Sequence, residues 1–252
     1  MISNKELLNS EKGPKYSPYG KNIRTALAYP NSYSVGMSNL GFQTIYHLLN
    51  SYPNTYCERI FLSQDAKIYS FENNQSLNSF NFIFFSLSFE GDYPNIVKIL
   101  DKGNIPVKAC DRDETHPLIA GGGVCAFLNP EPIANFFDYF VIGEAEEVLH
   151  KLIDIYDENY SGGFKTKKDR DSYLIDISKI EGVYVPKFYN FVYNDKNEIG
   201  SVEIQNDAPS GIKKAFYQGF GQSSGITSNN RPAFGIRRYV PFRDRKGVPI
   251  SV

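Results

Sequence analysis

The chain has 252 residues, with 27 Lys and Arg against 28 Asp and Glu for a formal net charge of −1, and it is 41% hydrophobic and 15% aromatic. That balance excludes a strongly basic nucleic-acid binder or a membrane-surface protein, and the length suits one large domain, or a domain with an appendage, around a packed core. Three dispersed cysteines make no disulfide framework and no C-x-x-C pair. No run reaches the ~20 apolar residues of a membrane span, and the polar N-terminus lacks a signal peptide's apolar core, so a cytoplasmic protein is expected.

Residues 1–21 are polar and turn-rich (Gly13-Pro14, Ser17-Pro18, Gly20) and read as a flexible lead-in with little structure. A short apolar run at 24–30 reads as a strand stopped by Pro30. The next segment has apolar residues at Leu40, Ile45, Leu48 and Leu49, near helical spacing, with Ser38 or Asn39 to cap it and Pro53 to end it. Residues 58–62 read as a second strand. Residues 80–89, FNFIFFSLSF, are continuously apolar and aromatic, the pattern of a strand covered on both faces. Residues 93–104 read as a helix with Ile96, Val97 and Leu100 on one face and Gly103 as its C-cap. A short strand or extended connector is expected at 105–109, a strand at PLIAGGG, a short helix at EPIANFF and a strand at DYFVIG. A helix over 144–159 follows, with acids in its first turn where the macrodipole favours them.

Helices between apolar strands predict an α/β fold, a doubly wound and mainly parallel Rossmann-like sheet over 22–160. In such sheets the functional edge lies beyond the carboxyl ends of the strands. After residue 160 the segment SGGFKTKKDRDSYL reads as a polar linker, and residues 182–205 as a small hairpin about NDKNEIG, so that 161–216 is linker and hairpin. Residues 217–252 read as an irregular basic tail. Arg interleaved with Phe234, Tyr239 and Phe242 is compatible there with base stacking, but no nucleic-acid module frames it and nucleic acid is not the expected partner.

Two apolar runs stop at glycine, at Gly121, Gly122 and Gly123 and again at Gly143-Glu144. Two readings stand: tight turns at a sheet edge, or main chain left bare for close approach of a ligand. Neither loop matches a P-loop or the G-x-G-x-x-G of a dinucleotide site. Ser86 and Ser88 sit at the end of the third strand outside any G-x-S-x-G, which argues against a nucleophilic serine. Glu144 and Glu146 suit either a ligand hydrogen bond or the start of a helix.

The run from these glycines through NPEP to DYFVIGEAEEVL resembles the cobalamin-binding-like Rossmann domain that precedes the catalytic barrel in many radical S-adenosylmethionine (SAM) proteins. The segments YPNSYSVGMSNLGFQTIYHLLN, ERIFL, FSLSFEGDYPNIVKILDKGNIPV and RDETHPLIAGGG resemble the N-terminal region of one uncharacterised radical SAM subfamily, over about Lys15 to Lys214. The resemblance implies S-adenosylmethionine and a [4Fe–4S] cluster held by a barrel in cis, and a corrinoid or small-molecule ligand at the sheet edge. It implies cofactor-binding roles for Asn39, Ser86, Ser88, Gly121, Gly122, Gly123, Gly143 and Glu144, with no catalytic or metal-ligating residue.

Two departures bear on that implication. Cys57, Cys110 and Cys125 are too far apart for the C-x-x-x-C-x-x-C that holds such a cluster. His47, His116 and His150 lie outside any D-x-H-x-x-G, the motif that supplies a histidine to cobalt. The expectation is therefore an accessory, ligand-binding domain of a radical SAM protein in a truncated or split form, not catalytic by itself. The alternative is a stand-alone Rossmann-like binding module for a small molecule or a protein.

Overall fold

The computed structural model describes residues 4–196 and 198–216. In chain order the elements are α1 (Asn4–Ser10), β1 (Ile23–Tyr29), α2 (Tyr33–Met37), α3 (Leu40–Ser51), β2 (Thr55–Phe61), β3 (Phe82–Ser86), α4 (Tyr93–Lys102), β4 (Leu118–Gly122), α5 (Val124–Leu128), β5 (Tyr139–Val141), α6 (Ala145–Tyr160), α7 (Lys167–Ile177), β6 (Val183–Tyr184), β7 (Tyr189–Tyr193) and β8 (Ile199–Ile204). Six strands form one sheet in the order β2-β1-β3-β4-β5-β6, and β7 and β8 form a separate antiparallel hairpin. β1 to β5 are parallel, and β6 closes the edge antiparallel to β5 with Tyr184 beside Phe140. This is the doubly wound, mainly parallel α/β sheet that the alternating pattern predicts.

Continuous apolarity in the strands produces two cores, one on each face. Alternate residues point to opposite sides. Phe82 and Phe84 of β3, Leu118 and Ala120 of β4, and Tyr139 and Val141 of β5 pack beneath α3, α6 and α7. Ile83, Phe85, Ile119 and Phe140 pack beneath α4 and α5. Right-handed crossovers running in opposite directions place their helices on opposite faces. The β1–α3–β2 unit runs one way and the β3–α4–β4 unit the other, so strand order reverses between β1 and β3.

Several expectations are corrected. The lead-in is not without structure: Leu7 and Leu8 of α1 pack against the core. Glu11 takes both terminal nitrogens of Arg59, at 2.9 and 2.8 Å. Arg59 is buried on β2, its Nε donates to Glu72 at 2.5 Å, and its guanidinium lies over the rings of Tyr46 and Phe71. Of the two alternatives for residues 105–109, the connector is found and no strand forms. Helix α5 is an element the sequence pattern does not announce, and the expected helix at EPIANFF is a 3-10 segment, Glu131–Phe136.

The stretch read as a polar linker contains α7, started by a capping box in which Thr166 and Asp169 satisfy each other's backbone N–H groups. The first part of the expected hairpin is β6, which joins the main sheet; the hairpin itself is β7 and β8. The basic tail expected over 217–252 lies outside the described residues. Among the described residues no helix is long and apolar enough to cross a membrane.

Besides the buried Tyr173, Leu174 and Ile177, an ionic network holds α7 in place. Arg170 is buried and donates to the carbonyls of His116 and Pro117, at the start of β4, and to Asp138 at 2.9 Å. Asp138 also accepts from Arg112 at 2.7 Å and from the Ile119 N–H at 2.7 Å. Burial would raise the Asp138 pKa, but Arg170 and Arg112 outweigh it and hold the carboxyl below the usual range. This triad lies at the amino edge of the sheet.

Candidate functional site at the carboxyl edge

The strand order reverses between β1 and β3, and in doubly wound sheets ligands bind beyond the carboxyl ends of the strands at such a reversal. Four of the residues implicated by sequence meet there. Asn39 caps α3, its carbonyl oxygen accepting from the Phe42 N–H at 2.9 Å, while its amide nitrogen donates to the Ser88 hydroxyl at 3.1 Å. Ser86 ends β3 in register with Gly122, and the next N–H, that of Leu87, donates to the Gly122 carbonyl at 2.7 Å. The Ser86 side chain is half-buried and makes no hydrogen bond among the described residues.

Sequence reasoning missed Asn31 and Asn95. The Asn31 amide donates to buried Asp92 at 2.8 Å, and the Asn95 amide donates to the Pro30 carbonyl at 3.0 Å. The signal for Asn31 was its place directly after the Pro that stops β1. The floor is therefore made of amides and hydroxyls beside one carboxylate, a set suited to hydrogen-bonding an uncharged polar group.

The other glycines serve the chain itself. A Cβ on Gly121 would come within 2.7 Å of the Phe140 ring. Gly123 has φ +109, and a Cβ there would stand 2.7 Å from the Leu87 carbonyl oxygen. Gly143 has φ +116, and a Cβ there would collide with the carbonyl oxygen of Ala215. Residues around Ala215 return to this edge: the Ala215 N–H donates to the Ile142 carbonyl, and the Glu144 N–H donates to the Ala215 carbonyl. Glu144 is the N-cap residue of α6, without a side-chain capping bond. Gly122 is different, since a Cβ there would find nothing nearer than 3.8 Å. The open part of the edge is thus the end of β1, β3 and β4, and the end of β5 is closed by the chain.

Around that open part stand exposed apolar side chains. Val35 on α2, Leu40 on α3, Phe89 after β3, and Val124 and Leu128 on α5 are all exposed, Phe89 at 68% and Leu128 at 64%. Five large apolar side chains are thus exposed on the segments that follow β1, β3 and β4.

The donor groups do not fit an iron–sulfur cluster or a histidine-ligated corrinoid. Cys57 faces the core from β2, Cys125 is buried on α5, and Cys110 is exposed in a 3-10 turn that follows the extended segment after α4. Among the described residues no group of three metal-ligating side chains comes together. His47 on α3 bonds the Tyr16 hydroxyl, His116 bonds Asp113 before β4, and His150 pairs with Asp154 on α6. None of the three follows a carboxyl strand end.

A family model described as the N-terminal region of radical SAM proteins matches residues 41–186, more than half of the chain. An uncharacterized protein of Methanocaldococcus jannaschii is 31% identical over 136 residues, which are 53% of this chain and 27% of that protein. The match thus spans about a quarter of that relative's length. No solved structure matches the chain.

Proposed function

Because the chain belongs to the family of radical SAM N-terminal regions, we propose that it is an accessory domain that meets a radical SAM catalytic domain through the carboxyl edge of its sheet. The observation that carries this reading is the apolar rim of Val35, Leu40, Phe89, Val124 and Leu128 around the polar floor of Asn39, Ser86, Ser88 and Gly122. In this reading the rim is buried by the catalytic domain, and the floor faces its active site and hydrogen-bonds an uncharged polar part of the substrate. The catalytic domain would hold S-adenosylmethionine and the iron–sulfur cluster. The accessory domain has residues 22–160 as its core, and residues 161–216 pack with it.

The test is calorimetric titration of the chain with a separately produced catalytic domain of the same family, its cluster reconstituted. Saturable association is expected. A Phe89→Asp/Val124→Asp double variant, altered only at exposed positions, should weaken it by ~2 kcal/mol or more, as for central apolar contacts of an interface. No association, or association indifferent to that variant, would overturn the proposal in favour of a stand-alone binding module.

A further inference from the structure

A cavity lies at the other end of the sheet, on its amino edge, away from the rim and floor described above. It has a volume of about 610 Å3, within the range that takes a small organic ligand. One wall is a single face of α7, with Lys167, Arg170, Asp171 and Leu174 at successive helical positions. Phe137, Tyr184, Tyr189 and Phe191 supply aromatic surface.

The charges in this cavity do not cancel. Five cationic side chains line it against three carboxylates. On its floor Asp138 answers two guanidinium groups, those of Arg112 and Arg170, which leaves one positive charge over. Three further Arg112 donors go to the carbonyls of Pro106, Val107 and Phe136, and the side chain is fully buried, so Arg112 contributes field and not contact. Lys187 is paired with Asp171 at 2.5 Å, and Glu131 accepts from the Tyr184 hydroxyl. The Lys108 and Lys167 ammonium groups have no hydrogen-bond or ion-pair partner among the described residues. Lys167 opens α7, the helix end where a cation is disfavoured, so helix stability does not account for it.

We propose that this cavity binds a small organic anion: a carboxylate, sulfonate or phosphate carried on a flat apolar body, with Lys108 and Lys167 as the charge contacts and the aromatic wall as the seat of the body. Cys110 lines the same cavity and is exposed, whereas Cys57 and Cys125 are buried. The thiol therefore reports on occupancy.

The test uses anilinonaphthalene sulfonate as the probe, titrated by fluorescence into the full chain at low salt. Saturable one-to-one binding is expected, and the bound probe should slow alkylation of Cys110 by iodoacetamide. A Lys108→Glu/Lys167→Glu variant, altered at exposed positions and checked by circular dichroism and its melting temperature, should bind about tenfold more weakly. Added salt should weaken binding to the wild type. A Phe89→Asp/Val124→Asp variant, changed at the opposite edge, should keep wild-type affinity. The uncharged analogue phenylnaphthylamine should bind more weakly than the sulfonate. Three results would each overturn the proposal: affinity unchanged in the lysine variant, loss confined to the rim variant, or equal binding of the uncharged analogue. Failure of catalytic-domain docking would leave this result untouched.

Discussion

Ala215 lies alongside Gly143 as a parallel bridge, its N–H bonded to the Ile142 carbonyl at 2.9 Å and its own carbonyl taking the Glu144 N–H at 3.0 Å. The glycine is needed because the chain returns over it. With φ +116, and with the Ala215 carbonyl oxygen occupying the place a Cβ would take, a side chain fits neither the backbone conformation nor the space. Gly143→Ala should destabilise the protein by about 2–3 kcal/mol, measured by urea unfolding. Gly122→Ala, with nothing nearer than 3.8 Å, should change stability by no more than about 0.5 kcal/mol. Equal losses would mean that Gly143 is not singled out by the return of Ala215.

Asp138 bridges two buried guanidinium groups, and its replacement should be among the costliest single changes in the molecule. Asp138→Asn leaves Arg112 and Arg170 facing each other without an anion, and a loss of about 3–5 kcal/mol is expected. The pH dependence follows from the depressed carboxyl. Below its ordinary value of 3.8 the unfolded chain binds the proton more tightly than the folded one. The stabilisation is therefore complete above about pH 4 and falls away as pH drops through the lower folded pKa. Urea midpoints of wild type should fall steeply below pH 4, and Asp138→Asn should flatten that slope. An unaltered slope would show that other carboxyls carry the acid sensitivity.

The three cysteines should separate into one fast and two slow thiols. Cys110 is exposed, while burial pushes the Cys57 and Cys125 thiols up. A thiol that is both buried and protonated is inert. Native protein at pH 8 should react rapidly with one equivalent of Ellman's reagent, and Cys110→Ser should abolish that phase. A second rapid equivalent would place Cys57 or Cys125 nearer solvent than the fold allows.

Helix α7 depends on its cap because its sequence is largely polar. The Thr166 hydroxyl accepts from the Asp169 N–H at 3.2 Å, and the Asp169 carboxylate accepts in turn from the Thr166 N–H at 2.9 Å. Thr166→Ala should cost about 1 kcal/mol. Amide exchange should rise over residues 167–171 more than over α6. Uniform loss across both helices would argue that the cap does not act locally.

Local pattern was enough for the parallel sheet, since aromatic and branched runs such as FNFIFF are stable only when covered on both faces, and the helices between them supply the cover. It also narrowed the cap of α3 to Ser38 or Asn39, which are neighbours in the chain; the Phe42 N–H, bonded to the Asn39 side chain, decides for Asn39. The rest depended on distant partners. Nothing near Arg170 announces its burial: that rests on Asp138 and on carbonyls more than 50 residues earlier in the chain. Gly143 reads the same whether a ligand or a returning segment of chain lies over it, and only the position of Ala215 shows the returning segment. The amino-edge cavity likewise gathers Lys108, Lys167 and Lys187 from three separate segments. Spacing along a chain reports the face of one element, whereas a site made between elements exists only after packing has paired some charges and left others over.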